Sequence, residues 1–350
     1  MNNPHQSNCE ETDPVKIASF LRQIAQDSHK RAMPLLFNPA VQKLDVSLRA
    51  LTASSELQAR AMQYVAENTP AAATVGMMDL SIEAEAFGAS VRFSDDEVPT
   101  VVGQLIADED DASTLNVPSV GDGRTAIAVE AVRLAKQRIC DRPVFAGCIG
   151  PYSLAGRLMD VTEIMYLCYD DPDTVAIVLD KAADFLIEYC KAFRGAGADG
   201  VVLAEPLAGL ISPDMNREFS CPYVRRIIDA VQTEDFAVIY HNCGNAVPGM
   251  LEDLFALNAA AYHFGNALDM RDVLAKAPAD VICMGNVDPA GQFASGTPES
   301  IREAALSLLR DSGAAPNFIL SSGCDIPPQA KWENIHAFFE AVSLHNQSHA

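Results

Sequence analysis

Short apolar segments alternate with longer amphipathic segments along most of the chain. The apolar segments have the length of strands and are bounded by Gly, Pro or Asp, whereas the amphipathic segments repeat their apolar positions with helical spacing. This alternation predicts strands joined by helices. The expected strands are residues 33–37, 73–78, 143–149, 200–205, 236–240, 261–264, 281–285 and 317–321. The expected helices are residues 47–68, 124–139, 172–194, 213–231, 247–257 and 298–311.

This pattern predicts an α/β fold, a single (β/α)₈ TIM barrel, with a doubly wound open sheet as the structural alternative. A helix capped by Asp13 and opened by Pro14 is expected before the first strand, where it would cover the barrel bottom. The predicted organisation is one domain overall, with an N-terminal helical extension in residues 1–30 and the barrel in residues 31–350. Residues 81–120 are expected to form an elaborated loop whose acidic run, 108–111, is solvated or closes over the mouth.

Composition narrows the class of function. The chain has 350 residues, 49% of them hydrophobic, and a formal net charge of −22, which argues against binding to nucleic acid or to an anionic membrane surface. No apolar stretch is long enough to span a bilayer. Nine cysteines without a disulfide-like framework and a polar N-terminus predict a reducing, cytoplasmic location. Six of the cysteines are expected to pack in the core: Cys140, Cys148, Cys168, Cys190, Cys221 and Cys283.

Three other side chains form the pattern of a metal site. His241 and Cys243 follow one expected strand and lie two residues apart, so they project from the same side of an extended chain, and Cys324 follows another expected strand. One imidazole and two thiolates suit Zn²⁺, and three protein ligands leave a fourth position open for chemistry. Because two thiolates already neutralise the charge of Zn²⁺, a third thiol arriving as a ligand should become a nucleophilic thiolate. Core packing of the two cysteines is the alternative.

Polar residues at other strand ends are further candidates. Glu205 is the expected catalytic residue, either as the fourth ligand or as the acceptor of a thiol proton, with capping of a helix as the alternative. His263 is a competing fourth ligand, although a single His in an apolar segment is more often a core residue. Asp79, Asn286 and Asp288 are expected to bind substrate at the mouth, and turn geometry is their alternative.

Several motifs from the second expected strand to the C-terminus resemble the uroporphyrinogen decarboxylase superfamily, and within it the methylcobalamin:coenzyme M methyltransferase branch. The resemblance covers most of the chain, and the order of the motifs agrees with the barrel interpretation. The matching motifs include Met78-Asp79-Leu80, Glu205-Pro206, His241-Asn242-Cys243-Gly244, Gly285-Asn286-Val287-Asp288-Pro289 and Leu320-Ser321-Ser322-Gly323-Cys324-Asp325-Ile326-Pro327-Pro328.

The resemblance implies a zinc-dependent methyltransferase in which His241, Cys243 and Cys324 are the metal ligands. Such enzymes move a methyl group between the methyl-cobalt of a corrinoid (methylcobalamin) protein and a thiol such as coenzyme M. This chain has no Asp-x-His-x-x-Gly corrinoid-binding pattern of its own, so a separate corrinoid protein is the expected partner. The acceptor, the direction of transfer and the oligomeric state stay open.

Two alternatives remain. Decarboxylation of a tetrapyrrole is disfavoured because the family's decarboxylases hold the substrate carboxylates with an arginine-rich motif after the first strand, and residues 33–43 contain no arginine. The net charge of −22 is also unfavourable for such a polyanion. A non-catalytic zinc- or corrinoid-binding protein is the alternative from another class. A reactive zinc site should accept an added thiol as a ligand, whereas a closed site should not.

Overall fold

Strands and helices alternate through the computed structural model, which describes residues 16–349. The strands are β1 Thr74–Val75, β2 Ser90–Arg92, β3 Thr100–Val102, β4 Val144–Ile149, β5 Gly200–Ala204, β6 Ala237–Asn242, β7 Ala261–Phe264, β8 Cys283–Val287 and β9 Phe318–Ser322. The helices are α1 Ile17–Gln26, α2 Val41–Leu44, α3 Leu48–Thr52, α4 Ser55–Asn68, α5 Ile82–Ala86, α6 Glu109–Thr114, α7 Thr125–Arg138, α8 Pro151–Met159, α9 Val161–Asp170, α10 Pro172–Gly195, α11 Pro213–Phe219, α12 Cys221–Val231, α13 Leu251–Phe255, α14 Met270–Lys276, α15 Pro298–Ser312 and α16 Trp332–Ser348.

Seven parallel strands form one curled sheet in the order β1-β4-β5-β6-β7-β8-β9. The segment that closes the curl is short. Ala32 forms a parallel bridge with Leu320 of β9, the Met33 N–H donates to the Leu320 carbonyl at 2.9 Å, and the Ala72 N–H donates to the Ala32 carbonyl at 2.8 Å. The predicted barrel class is thus confirmed, whereas the expected first strand, 33–37, is reduced to this bridge. Pro34 explains the difference, because it has no N–H to extend the ladder.

Alternate residues of the strands fill the barrel interior, as the pleat of a strand requires. Ile239, Met284 and Ile319 belong to this inner cluster, together with Ile17 and Leu21 of α1. The first helix therefore covers the barrel bottom, as predicted. The expected cap at Asp13 and Pro14 lies outside the described residues.

Three predicted helices agree with α7, α10 and α15 to within one or two residues. The expected helix 213–231 is instead divided into α11 and α12, because Pro222 at the start of α12 has no N–H for a continuous helix. The expected helix 47–68 is divided by Ser54, whose hydroxyl accepts the Leu57 N–H at 3.2 Å as the N-cap of α4. In the expected helix 247–257, a 3₁₀ turn at Val247–Gly249 precedes the short α13.

The predicted loop after the second expected strand carries structure of its own. It contains α5, the antiparallel β2–β3 hairpin and α6. The acidic run is exposed and forms the start of α6, with the Asp108 side chain accepting the Asp111 N–H at 3.0 Å. Carboxylates in the first turn of a helix interact favourably with its dipole, so the run is a solvated helix start.

The cysteines outside the expected metal site follow the prediction with one exception. Cys148, Cys168, Cys190 and Cys283 are free and buried, and Cys221 is free and partly buried. Cys140 is exposed and disulfide-bonded, so core packing was the wrong prediction for it. None of the helices among residues 16–349 is long and apolar enough to cross a membrane.

Candidate metal centre

The predicted ligands come together at the carboxyl end of the barrel strands. His241 lies near the end of β6 and continues the inward-facing positions of Ala237 and Ile239. Cys243 is two residues further along, and Cys324 follows the end of β9 by two residues. His241 is buried and the two cysteines are partly buried, so the cluster lies at the boundary between the packed interior and the mouth. This is the end of the barrel at which parallel α/β barrels place their chemistry.

The distances within the cluster suit a tetrahedral zinc ion. Cys324 Sγ lies 3.4 Å from His241 Nε2 and 3.9 Å from Cys243 Sγ, and all three donor atoms lie within 4.8 Å of one another. Ideal tetrahedral coordination, with Zn–S of about 2.3 Å and Zn–N of about 2.0 Å, separates N from S by about 3.5 Å and S from S by about 3.8 Å. The donor set and its spacing therefore fit zinc.

The two thiols influence each other strongly. Their sulfur–sulfur contact lowers the pKa of Cys324, against the opposing effect of burial. The same contact, followed by burial, raises the pKa of Cys243 to about 12. The contact therefore favours the thiolate at Cys324 and disfavours it at Cys243, whereas a cation between the two sulfurs would favour the thiolate at both.

His263 is not one of the clustered donors. Its Nδ1 lies 2.8 Å from Nδ1 of His241, and its Nε2 lies 2.7 Å from Oγ of Ser321, which donates to the Met33 carbonyl at 2.8 Å. Burial, followed by the charge of His241, lowers the pKa of His263 well below its ordinary value, so His263 is neutral.

Only one assignment of protons satisfies every member of this chain. Ser321 gives its proton to the Met33 carbonyl and accepts Nε2–H of His263, so Nδ1 of His263 carries no proton. That nitrogen then accepts Nδ1–H of His241. Nε2 of His241 is left without a proton on the side that faces Cys324, which is the form a metal ligand needs.

Glu205 is buried beside His241, whose carbonyl accepts the Glu205 N–H at 2.8 Å, but its carboxyl group is not one of the clustered donors. Its carboxylate accepts the Tyr152 N–H at 2.8 Å and the Ser153 hydroxyl at 3.2 Å, at the start of α8. Gly150 leaves the space for it, because a Cβ there would collide with the carboxylate. Burial raises the pKa of Glu205 to about 8, against the opposing hydrogen bonds. Glu205 is not among the donors that lie within 4.8 Å of one another, and these contacts favour the helix-capping alternative.

The three expected substrate-binding residues lie at strand ends but are held by protein contacts. Asp79 is paired with Arg124 and accepts the Ser81 hydroxyl at 2.6 Å. Asn286 donates to the Gly265 and Leu268 carbonyls at 2.9 and 2.7 Å. Asp288 accepts the Ala290 and Gly291 N–H groups, both at 2.9 Å, as the cap of the turn Pro289–Ala294. Their role towards a substrate stays a prediction.

Comparison with known proteins places the chain in a family. The model of the family described as uroporphyrinogen decarboxylase (URO-D) matches residues 30–345. The chain belongs to this family. A relative from Methanosarcina mazei, named methylcobamide:CoM methyltransferase MtbA, is 30% identical over 272 residues, which cover 75% of this chain and 77% of the relative. A relative with the same name from Methanosarcina acetivorans is 29% identical with the same coverage.

Other relatives carry the decarboxylase name. A uroporphyrinogen decarboxylase from Vibrio campbellii is 29% identical over 314 residues, 84% of each chain. Among solved structures, a methyltransferase from Methanosarcina mazei superposes with a TM-score of 0.82 at 21% identity, covering 96% of this chain and 99% of that chain. The fold is therefore that of the URO-D family. The predicted resemblance, including the methyltransferase branch, and the prediction of an enzyme are confirmed.

Some residues of the site in this URO-D family member were missed from the sequence. Ser321 lies in the motif that precedes Cys324, but its link to His263 was not predicted, and Arg124 was expected only as the start of a helix. Arg157 offered a signal, because it is the one charged side chain in the apolar helix α8. A charge inside a buried helix needs a partner, and that rule would have marked it.

Proposed function

We propose that this protein transfers a methyl group between a methyl-corrinoid protein and a small thiol, with the thiol activated on zinc held by His241, Cys243 and Cys324. The observation that carries the proposal is the spacing of the three donors, 3.4 Å and 3.9 Å along the measured edges of the cluster. The relatives named methylcobamide:CoM methyltransferase support the reaction type.

Zinc, when bound, would supply the positive charge that deprotonates a thiol ligand while leaving electron density on its sulfur. The chain's own residues prepare that position. His241 presents an unprotonated Nε2 because its other nitrogen donates to His263. Cys243 and Cys324 present two sulfurs whose contact already favours one thiolate. The sulfur of the substrate would attack the methyl carbon of the donor, and cobalt would leave with the electron pair.

The donor is expected to be a separate protein. The ligands lie at the mouth of a barrel whose interior is filled by apolar side chains, so a corrinoid would have to approach from the open end. This partner, and coenzyme M as one candidate acceptor, are part of the proposal.

Decarboxylation of a tetrapyrrole is the less favoured reaction, although relatives carry that name. Residues 33–43 contain no arginine. Arg124, which lies near the mouth, is already paired with Asp79 and Glu85. Arg157 lines a cavity at the end of β1 and forms no salt bridge with the described residues, and a single cation of this kind suits one acidic group better than many.

The test is demethylation of methylcobalamin, followed by absorbance, on protein of measured zinc content and with a panel of thiols that includes coenzyme M and homocysteine. Cys243→Ala and Cys324→Ala should lose zinc and activity together and keep the fold. Cys283→Ala is the matched control, because Cys283 is a free, buried cysteine on the neighbouring strand β8. Activity of either ligand variant without metal would overturn the zinc site. Zinc-loaded protein that methylates no thiol would favour a binding protein.

A further inference from the structure

A small cavity lies beside the end of β1, on the side of the barrel that carries the donor cluster. Its volume is about 170 Å³, and its lining combines the apolar Met78, Leu80, Val98, Pro99 and Val101 with the polar Ser81, Thr100 and Arg157. Met78 also belongs to the inner apolar cluster of the barrel, so the cavity borders the interior. Pockets for drug-sized ligands span roughly 300–1,000 Å³, so this one suits a small molecule or one end of a larger one.

Arg157 is the one charged side chain among the described residues that line the cavity. Its guanidinium forms no hydrogen bond or ion pair with any residue that the structure describes. It is partly buried in α8, whose other residues are all buried. Burial lowers the pKa of Arg157, opposed by the attraction of Asp79, but a guanidinium stays charged at neutral pH.

The neighbouring carboxylates do not form a salt bridge with Arg157. Asp79 accepts from Arg124 and from the Ser81 hydroxyl, and Glu85 accepts from Arg124 at 2.6 Å. Arg157 therefore receives only a through-space attraction. A partly buried cation without a partner is costly, and a bound anion would remove that cost. In a chain of net charge −22, an anionic ligand also needs a local cation to overcome the repulsion of the whole molecule.

We propose that the cavity is a binding site for the acidic end of the thiol acceptor, with Arg157 holding a sulfonate or carboxylate and the apolar walls holding its carbon chain. A guanidinium can grip either group through two parallel N–H donors, which gives orientation as well as affinity. The inference rests on the proposed function, because it assigns the acid to the same molecule whose sulfur reaches the donor cluster. It restricts the acceptor to acidic thiols.

The first experiment compares three thiols on zinc-loaded protein: 2-mercaptoethanesulfonate, 3-mercaptopropionate and the neutral 2-mercaptoethanol. Arg157→Met should lower kcat/KM for the two acidic thiols by about 10- to 100-fold, as expected for losing a charged hydrogen-bonded pair. The neutral thiol should change by less than about threefold. Arg157→Lys should give an intermediate kcat/KM for the acidic thiols, because lysine keeps the positive charge but lacks the two parallel N–H donors of a guanidinium. Arg22→Met, at an exposed arginine of α1 on the opposite end of the barrel, is the matched control and should change none of the three.

Equal losses for all three thiols, or no loss for any, would overturn the assignment. Folding of the variant is checked by far-UV circular dichroism and the urea midpoint. The preference of the wild-type protein between the sulfonate and the carboxylate identifies the acid.

A second experiment needs no turnover. Ethanesulfonate, which has no thiol, should bind the wild-type protein in calorimetry and compete with the acidic thiols, and Arg157→Met should abolish that binding. Equal binding to both proteins, or to neither, contradicts the site. If no thiol is methylated while ethanesulfonate still distinguishes the two proteins, the anion site stands and the proposed methyl transfer fails.

Discussion

His263 shows how a buried residue without a metal bond can determine what a ligand does. It is fully buried, and its two nitrogens connect His241 to Ser321. The sequence placed His263 near the mouth but could not distinguish a ligand from a support, because that choice depends on which nitrogen faces which neighbour. The grouping of His241, Cys243 and Cys324 was predictable, since their spacing at strand ends is a property of the sequence. The salt bridge between Asp79 and Arg124 could not be predicted, because Arg124 lies 45 residues further along the chain.

Replacement of His263 should weaken zinc binding while leaving all three ligands in place. His263→Leu removes the nearer acceptor for Nδ1–H of His241, the ring nitrogen at 2.8 Å, and leaves only the backbone carbonyl of residue 263 at 3.2 Å. Loss of such an outer partner typically costs about 10- to 100-fold in metal affinity. His263→Asn, which can place an oxygen near the position of Nδ1, should restore part of the affinity. The measurement is competition with a chromophoric chelator. His345→Gln, a histidine on α16 outside the donor cluster, is the control. Unchanged affinity in His263→Leu would remove His263 from the site.

At the scale of elements, the strands and the long barrel helices were predictable, whereas α8 and α9 were not. Every residue of α8 except Arg157 is buried, so the helix has no polar face to reveal its period. The start of α8 is held by Glu205 of the neighbouring strand end, and a carboxylate from another element leaves no local capping pattern. The closing segment was predicted as a longer strand than it forms. Its apolar residues have the pattern of a strand, but Pro34 has no N–H to extend the hydrogen-bond ladder.

The contact between Glu205 and α8 predicts a pH-dependent stability. An unfolded Glu ionises near pH 4.3, whereas the pKa of Glu205 in the folded protein is about 8. Between these values the folded state holds one proton more than the unfolded state, so this group's contribution to the free energy of unfolding falls as pH rises through the interval and is constant above it. Glu205→Gln does not titrate. Its stability relative to wild type should therefore rise by about 1 kcal/mol or more from pH 5 to pH 8.5.

Urea unfolding at pH 5, 6.5 and 8.5 measures this difference. Glu83 and Asp325 also have raised pKa values, to about 7 and about 8, but they are present in both proteins and cancel in the comparison. Glu109→Gln, at an exposed position of α6, is the control for removing one carboxylate. A difference that stays constant with pH would mean that Glu205 is ionised in its buried position.

For the whole molecule, net charge is the dominant electrostatic property. The formal charge is −22, and the many exposed carboxylates repel one another in the folded state more than in the expanded unfolded chain. The net charge could be predicted from composition alone, because it does not depend on the fold. The sequence could not reveal that Arg157 lines a cavity without a salt bridge, because that depends on packing.

Salt should therefore stabilise the protein. Raising NaCl from about 20 mM to about 300 mM shortens the screening length to below about 10 Å and should raise Tm by about 1–3 °C at pH 8. At pH 5, close to the sequence pI of about 4.5, the same change should have a smaller effect. Scanning calorimetry at the two pH values provides the comparison. An equal rise at both would point to specific ion binding or surface exclusion in place of screened repulsion.

The hydrogen-bond chain from His241 ends at the Met33 carbonyl, on the short segment that completes the barrel. Residues 33 and 321 are thus joined where the first and last parts of the barrel meet, and the orientation of His241, a proposed zinc ligand, depends on that contact. A shortened chain that begins after this segment would lose both the closure and the anchor of His241. Metal affinity would then depend on whether the barrel is closed, and zinc release during unfolding would show when the contact between residues 33 and 321 is lost.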